Sequence, residues 1–327
     1  MRIRAIVLGL VLALAMSALL LLSAMAGAAA QPANFDVWVP KASLPTGRGF
    51  AAAAVVSDTV YVIGGWTTTD TAVVEAYHPA TDSWTSVASM NIRRNNLTAA
   101  AVNGNIYAIG GWSLVTNTTA VERYDPATDT WTDVAPIPMP LGNNGFRAAT
   151  LDGKIYAIGG WDGITITNAL MMYDPDSDGW SFLAPMPTAR LALAVVALEG
   201  KIYAIGGVGT DSSATDKVEI YDPLTDSWAT GAPLPTPRAE LAAAVIDGKI
   251  YVVGGGEANE RYDPITDSWK PLAPMLASRG GLVAAAVDNV LYAIGGWTKD
   301  SQQDLNEAYF PPPSNRIYLP LTLNGSG

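Results

Sequence analysis

The sequence contains no cysteine and only one histidine, His78. Without cysteine there can be no disulfide, thiolate metal ligand, cysteine nucleophile or lipid attached at cysteine. A single histidine argues against imidazole general-base catalysis and against a histidine metal site. Charged residues make up only 15% of the 327 residues, whereas hydrophobic ones reach 49%. We therefore expect a large packed core, with no cofactor and no bound metal.

Positive charge is also scarce. The chain has 19 Lys and Arg against 30 Asp and Glu, which gives a formal net charge of −11. Because a phosphate backbone is bound by a basic surface, we expect no nucleic-acid partner. The acidic balance is instead typical of a soluble exported protein, which we expect to be a monomer.

The first thirty residues differ in composition from the rest. Arg2 and Arg4 precede an apolar run over 5–22, and small residues end at 28–30. This order predicts a secretory signal peptide over residues 1–30. The alternative is an uncleaved membrane anchor, because the run approaches the ~18 residues that can span a bilayer. Cleavage would place the mature chain outside the membrane, either secreted, at the cell surface or in the periplasm.

One short pattern recurs six times along the chain. In the copy at 155–161 an apolar run ends on Gly159-Gly160 and Trp161, and the first glycines of successive copies are 46, 49, 47, 48 and 41 residues apart. A period in this range indicates a repeat architecture. The other copies end at Gly64-Gly65, Gly110-Gly111, Gly206-Gly207, Gly254-Gly255 and Gly295-Gly296.

Each unit divides into four extended runs. In the fourth unit the runs cover 191–198, 201–205 and 217–221, and the last one opens at Trp228, with turn residues between them. Alternation with Gly, Asp and Pro punctuation predicts antiparallel strands. Six such sheets hide their faces and edges best when packed around an axis, so we predict an all-β, six-bladed β-propeller with the alanine-rich first strands innermost.

Further residues recur at fixed offsets from the glycines. Most units carry Tyr-Asp-Pro, with Tyr77-His78-Pro79 as a variant, followed by a tryptophan. Together with the Gly-Gly pairs, this pattern resembles kelch repeats over about residues 36–310, and the resemblance implies a six-bladed kelch propeller. The Tyr-Asp-Pro triplets lie at 124–126, 173–175, 221–223 and 262–264, and the tryptophans are Trp84, Trp131, Trp180, Trp228 and Trp269.

The sixth unit lacks its tryptophan, whereas Trp38 stands alone ahead of the first unit. We therefore predict that 35–40 pairs with about 305–310, so that the N-terminal strand closes the last blade. The propeller then occupies 31–310. Three prolines from Pro311 end the last blade because proline cannot donate to a ladder. The tail at 311–327 includes 318–321, which resembles short apolar tails of some exported bacterial proteins; a loosely docked terminus is the alternative.

The remaining four tryptophans each follow a Gly-Gly pair. Antiparallel order places the end of the second strand beside the start of the first, so these side chains should rim one mouth of the axis. Indole faces suit sugar C–H groups, cations or peptide side chains, and in kelch-like propellers this position commonly touches ligands. The alternative is that the rings only cover the glycines. The four are Trp66, Trp112, Trp161 and Trp297.

Five arginines lie 16 residues before the first glycine of their unit, with Asn143 at that offset in the third unit. Arg94, Arg190 and Arg238 are the ones we consider as ligand-binding, since guanidinium groups hold carboxylates bidentately. The alternative, which the family resemblance favours, ties them structurally into loop backbone. The other two are Arg48 and Arg279.

Two residues after each arginine offset stands a position that differs between units. Phe50, Asn96 and Glu240 are the candidates for ligand contact there, beside Gly145, Ala192 and Gly281. At the turns between third and fourth strands, ten aspartates suggest calcium at first sight. Because they are spread one turn per blade, we expect them to bond their own turn backbone instead.

These patterns favour an exported, non-catalytic binding module that takes carbohydrate or a protein segment at the tryptophan rim. The alternative is a sialic-acid-like sugar mutarotase or epimerase with Glu240 as acid/base. A scaffold for cell-surface assembly is a third possibility. Kelch-like copper oxidases are excluded because they require a cysteine.

Overall fold

The computed structural model describes residues 35–114, 116–138 and 144–313. Within these ranges the chain is all-β and forms six four-stranded antiparallel sheets with two small two-stranded extensions. Each sheet is one blade, and we number the blades from the N-terminus. None of the described segments is a helix long and apolar enough to cross a membrane. The predicted signal peptide and most of the tail lie outside the described residues.

The strands of the first three blades follow the chain in order. Blade 1 contains Ala52–Val56, Thr59–Ile63, Val74–His78 and Ser83–Val87. Blade 2 contains Thr98–Val102, Asn105–Ile109, Val121–Asp125 and Thr130–Val134, with the small hairpin Trp112–Ser113 and Thr116–Asn117. Blade 3 contains Arg147–Leu151, Lys154–Ile158, Leu170–Asp174 and Gly179–Leu183.

The last three blades repeat this order until the chain closes. Blade 4 contains Ala194–Leu198, Lys201–Ile205, Val218–Asp222 and Ser227–Thr230, with the extension Arg190–Leu191 and Val208–Gly209. Blade 5 contains Leu241–Ile246, Lys249–Gly254, Asn259–Asp263 and Ser268–Leu272. Blade 6 contains Val283–Val287, Val290–Ile294, Asn306–Phe310 and the N-terminal strand Val37–Pro40.

The first strands of successive blades contact one another around the whole circle, and that of blade 6 contacts that of blade 1. They line an axial channel with small side chains such as Ala53, Ala99 and Ala243. Small residues are needed there because six strands converge on one axis. The predicted six-bladed propeller with alanine innermost is confirmed.

The core lies between neighbouring blades. Second strands are almost entirely buried because both of their faces are covered, which explains their unbroken apolar runs. Tyrosines from adjacent blades meet across these interfaces, as Tyr77 of blade 1 does with Tyr292 of blade 6 at 5.5 Å between ring centroids. Each interface therefore has its own cluster of buried side chains.

The N-terminal strand closes the last blade as predicted. Val37 pairs with Phe310, and Trp38 pairs with Tyr309 in an antiparallel register. Trp38 is buried, and its indole nitrogen donates to the carbonyl of Ala273 in the linker that follows blade 5, at 2.9 Å. The closure therefore supplies both the missing outer strand and a bond to the neighbouring blade.

The other tryptophans of the fourth strands make the same bond. Trp84 Nε1 donates to Ala42 O at 2.8 Å, and Trp131 Nε1 donates to Ala88 O at 2.8 Å. Each indole thus ties its blade to the linker that follows the preceding blade. The same geometry holds for Trp180, Trp228 and Trp269.

The turn aspartates have two roles, of which the sequence indicated one. The first aspartate bonds its own turn as expected; Asp222 accepts from the Leu224 amide at 3.0 Å. The second one accepts from a tyrosine hydroxyl of its own blade and from a backbone amide of the adjacent linker, as Asp226 does from Tyr221 and Ala184. Half of this set therefore joins blades.

The predicted first run of the fourth unit, 191–198, is not continuous. Ala192 adopts φ 52°, and the strand of the blade starts only at Ala194. Arg190–Leu191 pairs separately with Val208–Gly209. A positive φ recurs at the equivalent position of every blade and shapes the rim of the propeller.

Candidate functional site

Each tryptophan that follows a Gly-Gly pair is held by backbone bonds at one end of the propeller. Trp66 N donates to Gly49 O at 2.8 Å, and Gly49 N donates back to Trp66 O at 3.1 Å. Gly65 is required because a Cβ there would lie 2.9 Å from Gly49 O at φ 111°. Equivalent bridges join Asn95 to Trp112, Asn144 to Trp161 and Gly280 to Trp297.

Three of the four indoles meet in one cavity of about 340 Å³. Trp297, Trp66 and Trp112 come from the consecutive blades 6, 1 and 2. Trp161 has the equivalent position in blade 3 but does not line this cavity. We define the aromatic cavity by its six lining residues, Phe50, Trp66, Asn95, Asn96, Trp112 and Trp297.

Phe50 extends the aromatic surface towards the axis. Its ring stacks on Trp297 with 6.4 Å between centroids and 28° between planes. The same ring covers Gly281, where a Cβ would lie 2.8 Å from it. All four rings of the cavity are half-buried, so part of each aromatic face is open to solvent.

A buried carboxylate fixes the wall between blades 1 and 2. Asp70 is 5% exposed and accepts from the side-chain amide of Asn95. Its second oxygen accepts from Leu114 N at 2.5 Å. Asp70 therefore orients Asn95 and joins the loops that carry Trp66 and Trp112. The repeat pattern gave no signal for Asp70 because its loop varies from unit to unit.

Six residues around the axis form a closed ring of backbone hydrogen bonds, with N···O distances of 2.7 to 3.3 Å. Each amide donates to the carbonyl of the equivalent residue in the preceding blade, and all six residues have φ between 49° and 70°. We call this circle the rim ring. Its members are the six variable positions of the sequence, namely Phe50, Asn96, Gly145, Ala192, Glu240 and Gly281.

The side chains of the rim ring differ in availability. Phe50 and Asn96 belong to the aromatic cavity, whereas Glu240 is exposed, lies in blade 5 and does not line that cavity. Within the described chain the Glu240 carboxylate makes no hydrogen bond. Partial desolvation raises the pKa of the Glu240 carboxyl, and the charge of Arg147 opposes that rise.

The arginines that we considered as ligand-binding do not line the cavity. Arg94, Arg190 and Arg238 are at most 3% exposed, and each forms an ion pair with a glutamate of its own blade. Burial lowers the pKa of these guanidinium groups, and the glutamates oppose the shift. They hold the blade together from the protein interior, out of contact with the aromatic cavity. The glutamate partners are Glu122, Glu219 and Glu260, and Arg48 and Arg279 pair likewise with Glu75 and Glu307.

A sequence signal for these pairs exists and was missed. Each glutamate stands two residues before the tyrosine of its third strand, as Glu219 precedes Tyr221. Blade 3 is the exception at both positions. Asn143 stands where the other blades have the arginine, and Met171 stands where they have the glutamate. Asn143 lies outside the described residues, and Met171 is buried. Blade 3 thus lacks both the arginine and the glutamate, which indicates that the two residues occur together because they form a pair.

Comparison with known proteins agrees with this architecture. Residues 34–207 match the family described as the KLHDC2/KLHL20/DRC7 Kelch-repeats domain, and residues 138–299 match the FKB95, Kelch-repeats domain. A solved structure titled "Structure of YjhT" shares the fold with a TM-score of 0.75 and 20% identity, covering 84% of this chain and 97% of that one. No curated protein matches. The repeats, the closed ring of six blades and these matches show that the chain belongs to the kelch-repeat family of β-propellers.

Proposed function

We propose that this propeller is a non-catalytic binding module that takes carbohydrate in the aromatic cavity. The observation that carries the proposal is the convergence of Trp66, Trp112 and Trp297 with Phe50 in one cavity of about 340 Å³. Half-buried indole faces match the apolar C–H faces of sugar rings, and aromatic side chains are the usual anchors of binding sites.

The polar groups of the cavity favour a neutral ligand. Asn95 and Asn96 supply amides that can bond hydroxyl groups, and none of the six lining side chains is charged. An apolar pocket with a few oriented polar groups is typical of small-molecule sites. A protein ligand would need a contact of about 1,000 Å² or more beyond this cavity, so carbohydrate fits the observed size better.

A glycan array followed by calorimetry on the best glycan tests the proposal. Trp66→Ala and Trp112→Ala should each weaken binding at least about tenfold, which corresponds to roughly 1.4 kcal/mol. Trp161→Ala is the matched control because it removes an indole at the same repeat position outside the cavity. Equal losses in all three variants, or no glycan bound, would overturn the proposal; binding to peptide arrays alone would favour a protein ligand.

The second candidate is a sugar mutarotase or epimerase, favoured by one observation. Glu240 lies in the rim ring at the channel mouth, where partial desolvation raises the pKa of its carboxyl, and a carboxyl so placed can act as a general acid or base towards a sugar hydroxyl. Anomer-exchange NMR separates the two functions. A binding module leaves the exchange rate of sugars unchanged, whereas a mutarotase accelerates it and loses the acceleration in Glu240→Gln.

We also propose that the mature chain is exported and acts as a monomer. The support is the signal-like order of residues 1–30 and the acidic balance of the chain. Sequencing the mature N-terminus of protein from the producing cell tests export, and a start at Met1 would overturn it. Sedimentation at several concentrations tests the monomer.

A further inference from the structure

Arg147 occupies a position where every other blade has a small or aliphatic residue. It opens the first strand of blade 3 and pairs with Ile158 in the register. In the other five blades the side chain at this position is small enough for the tight packing near the axis, whereas blade 3 places a guanidinium group there. The equivalent residues, each opposite the matching position of its second strand, are Ala52, Thr98, Ala194, Ala242 and Val283.

The guanidinium of Arg147 faces the axial channel. The channel cavity has a volume of about 130 Å³, and Arg147 is the one charged side chain among its described lining residues, which are mostly alanine, valine and leucine. Burial lowers the pKa of Arg147 to about 10, so the group stays charged at neutral pH. A charge in such surroundings is costly unless a counter-charge or hydrogen bonds compensate it.

The described residues supply only part of this compensation. Nη1 of Arg147 donates to Phe146 O at 2.9 Å, which uses one of the five guanidinium hydrogens. Within the described residues the side chain makes no ion pair. The negative charge of Glu240 in the rim ring acts on Arg147 through space and raises its pKa, against the effect of burial. The other buried arginines differ, because each has a glutamate of its own blade, as Arg190 has Glu219.

We propose that Arg147 holds a small carboxylate anion, of the size of acetate, in the axial channel. A guanidinium with free donors binds a carboxylate bidentately, and the surrounding alanine side chains leave room for its short apolar end. This anion site shares no lining residue with the aromatic cavity. Anion binding at Arg147 can therefore be tested independently of carbohydrate binding in the aromatic cavity.

Line broadening of carbon-13-labelled acetate in NMR, with the full chain in chloride-free buffer, tests the site. Acetate should broaden with the parent protein, and acetamide, its uncharged analogue, should not. Arg147→Ala should abolish the broadening and should fold, since Ala52 and Ala194 occupy the equivalent position in other blades. Arg147→Gln serves as a second neutral variant, with a melting curve measured for both.

Arg123→Gln is the matched control. Arg123 is another half-buried arginine, in the third strand of blade 2, and it is absent from the channel lining. The Arg123→Gln variant should bind acetate as the parent protein does. Glu240→Gln should tighten acetate binding roughly two- to tenfold because it removes a negative charge that competes for Arg147. No broadening with the parent, or broadening that survives both Arg147 variants, would overturn the proposal.

Discussion

Tyr309 donates its hydroxyl hydrogen to Asp36 at 2.6 Å across a separation of 273 residues. In blade 1 the same bond joins Tyr77 to Asp82, only five residues apart in the sequence. Asp36 also accepts from Ala273 N at 2.9 Å, which ties the N-terminal segment to blade 5. The N-terminal strand thus reproduces the tyrosine–aspartate, aspartate–linker and tryptophan–linker bonds of a fourth strand, although it comes from the other end of the chain.

Removal of this strand should open the ring. We expect deletion of residues 31–45 to lower the melting temperature and to broaden the transition, because blade 6 loses its outer strand and the ring its closure. Circular dichroism and differential scanning calorimetry measure both effects. Deletion of 31–34 alone is the control, since it leaves Val37–Pro40 intact. Identical melts for the two deletions would show that closure does not stabilise the fold.

Breaking one buried ion pair should cost more than replacing it. Arg190→Met leaves the Glu219 carboxylate buried without its partner, and we expect a loss of about 3–5 kcal/mol in the free energy of unfolding. The double change Arg190→Met with Glu219→Met should lose less, because blade 3 already has Met171 at the glutamate position. Urea denaturation measures the parent protein and the two variants. A double variant less stable than the single one would contradict this reading.

Acid should destabilise the junctions between blades. The hydroxyl of Tyr221 and then the amide of Ala184 lower the pKa of Asp226. A carboxyl whose folded pKa lies below its unfolded value contributes stability above about pH 4 and loses it as the pH falls through the folded pKa. We therefore expect the free energy of unfolding to decrease below pH 4, and less steeply in Asp226→Asn. Chemical denaturation from pH 7 to pH 2 measures the slope, and parallel curves would refute the assignment.

The rim ring stores backbone strain at its non-glycine members. Ala192 adopts φ 52°, a conformation that costs an L residue about 1–2 kcal/mol. Ala192→Gly should therefore raise the free energy of unfolding by up to about 1 kcal/mol after the entropic cost of glycine. Ala197→Gly, in the first strand of the same blade, is the control and should be destabilising. Urea denaturation compares the two, and a destabilised Ala192→Gly would contradict the prediction.

The architecture could be predicted from the sequence because the same pattern occurs six times, and each copy predicts the same four strands. The Gly-Gly pairs fix the strand ends, and the solitary Trp38 identifies the closing strand. Each copy supports the others, so a deviation such as His78 in one turn does not disturb the result. Repeats also predicted that the four post-glycine tryptophans share one end of the propeller.

The site was predicted less completely because it depends on where the repeats differ. Trp161 matches the other rim tryptophans in sequence, yet the cavity forms only where blades 6, 1 and 2 meet. Asp70 and Arg147 occur in one blade each, so the recurring pattern does not predict their roles. Three arginines were considered as ligand-binding beside the favoured structural alternative, because spacing shows their recurrence and not their buried glutamate partners.

The hydrogen bonds of the rim ring run between main-chain atoms alone, so its members can be exchanged without loss of those bonds. Phenylalanine, asparagine, glycine, alanine and glutamate already occupy the six places. The propeller therefore offers six neighbouring positions for a combinatorial library. Substitutions there would change the side chains at the mouth of the channel, while the hydrogen-bonded backbone beneath them stays the same.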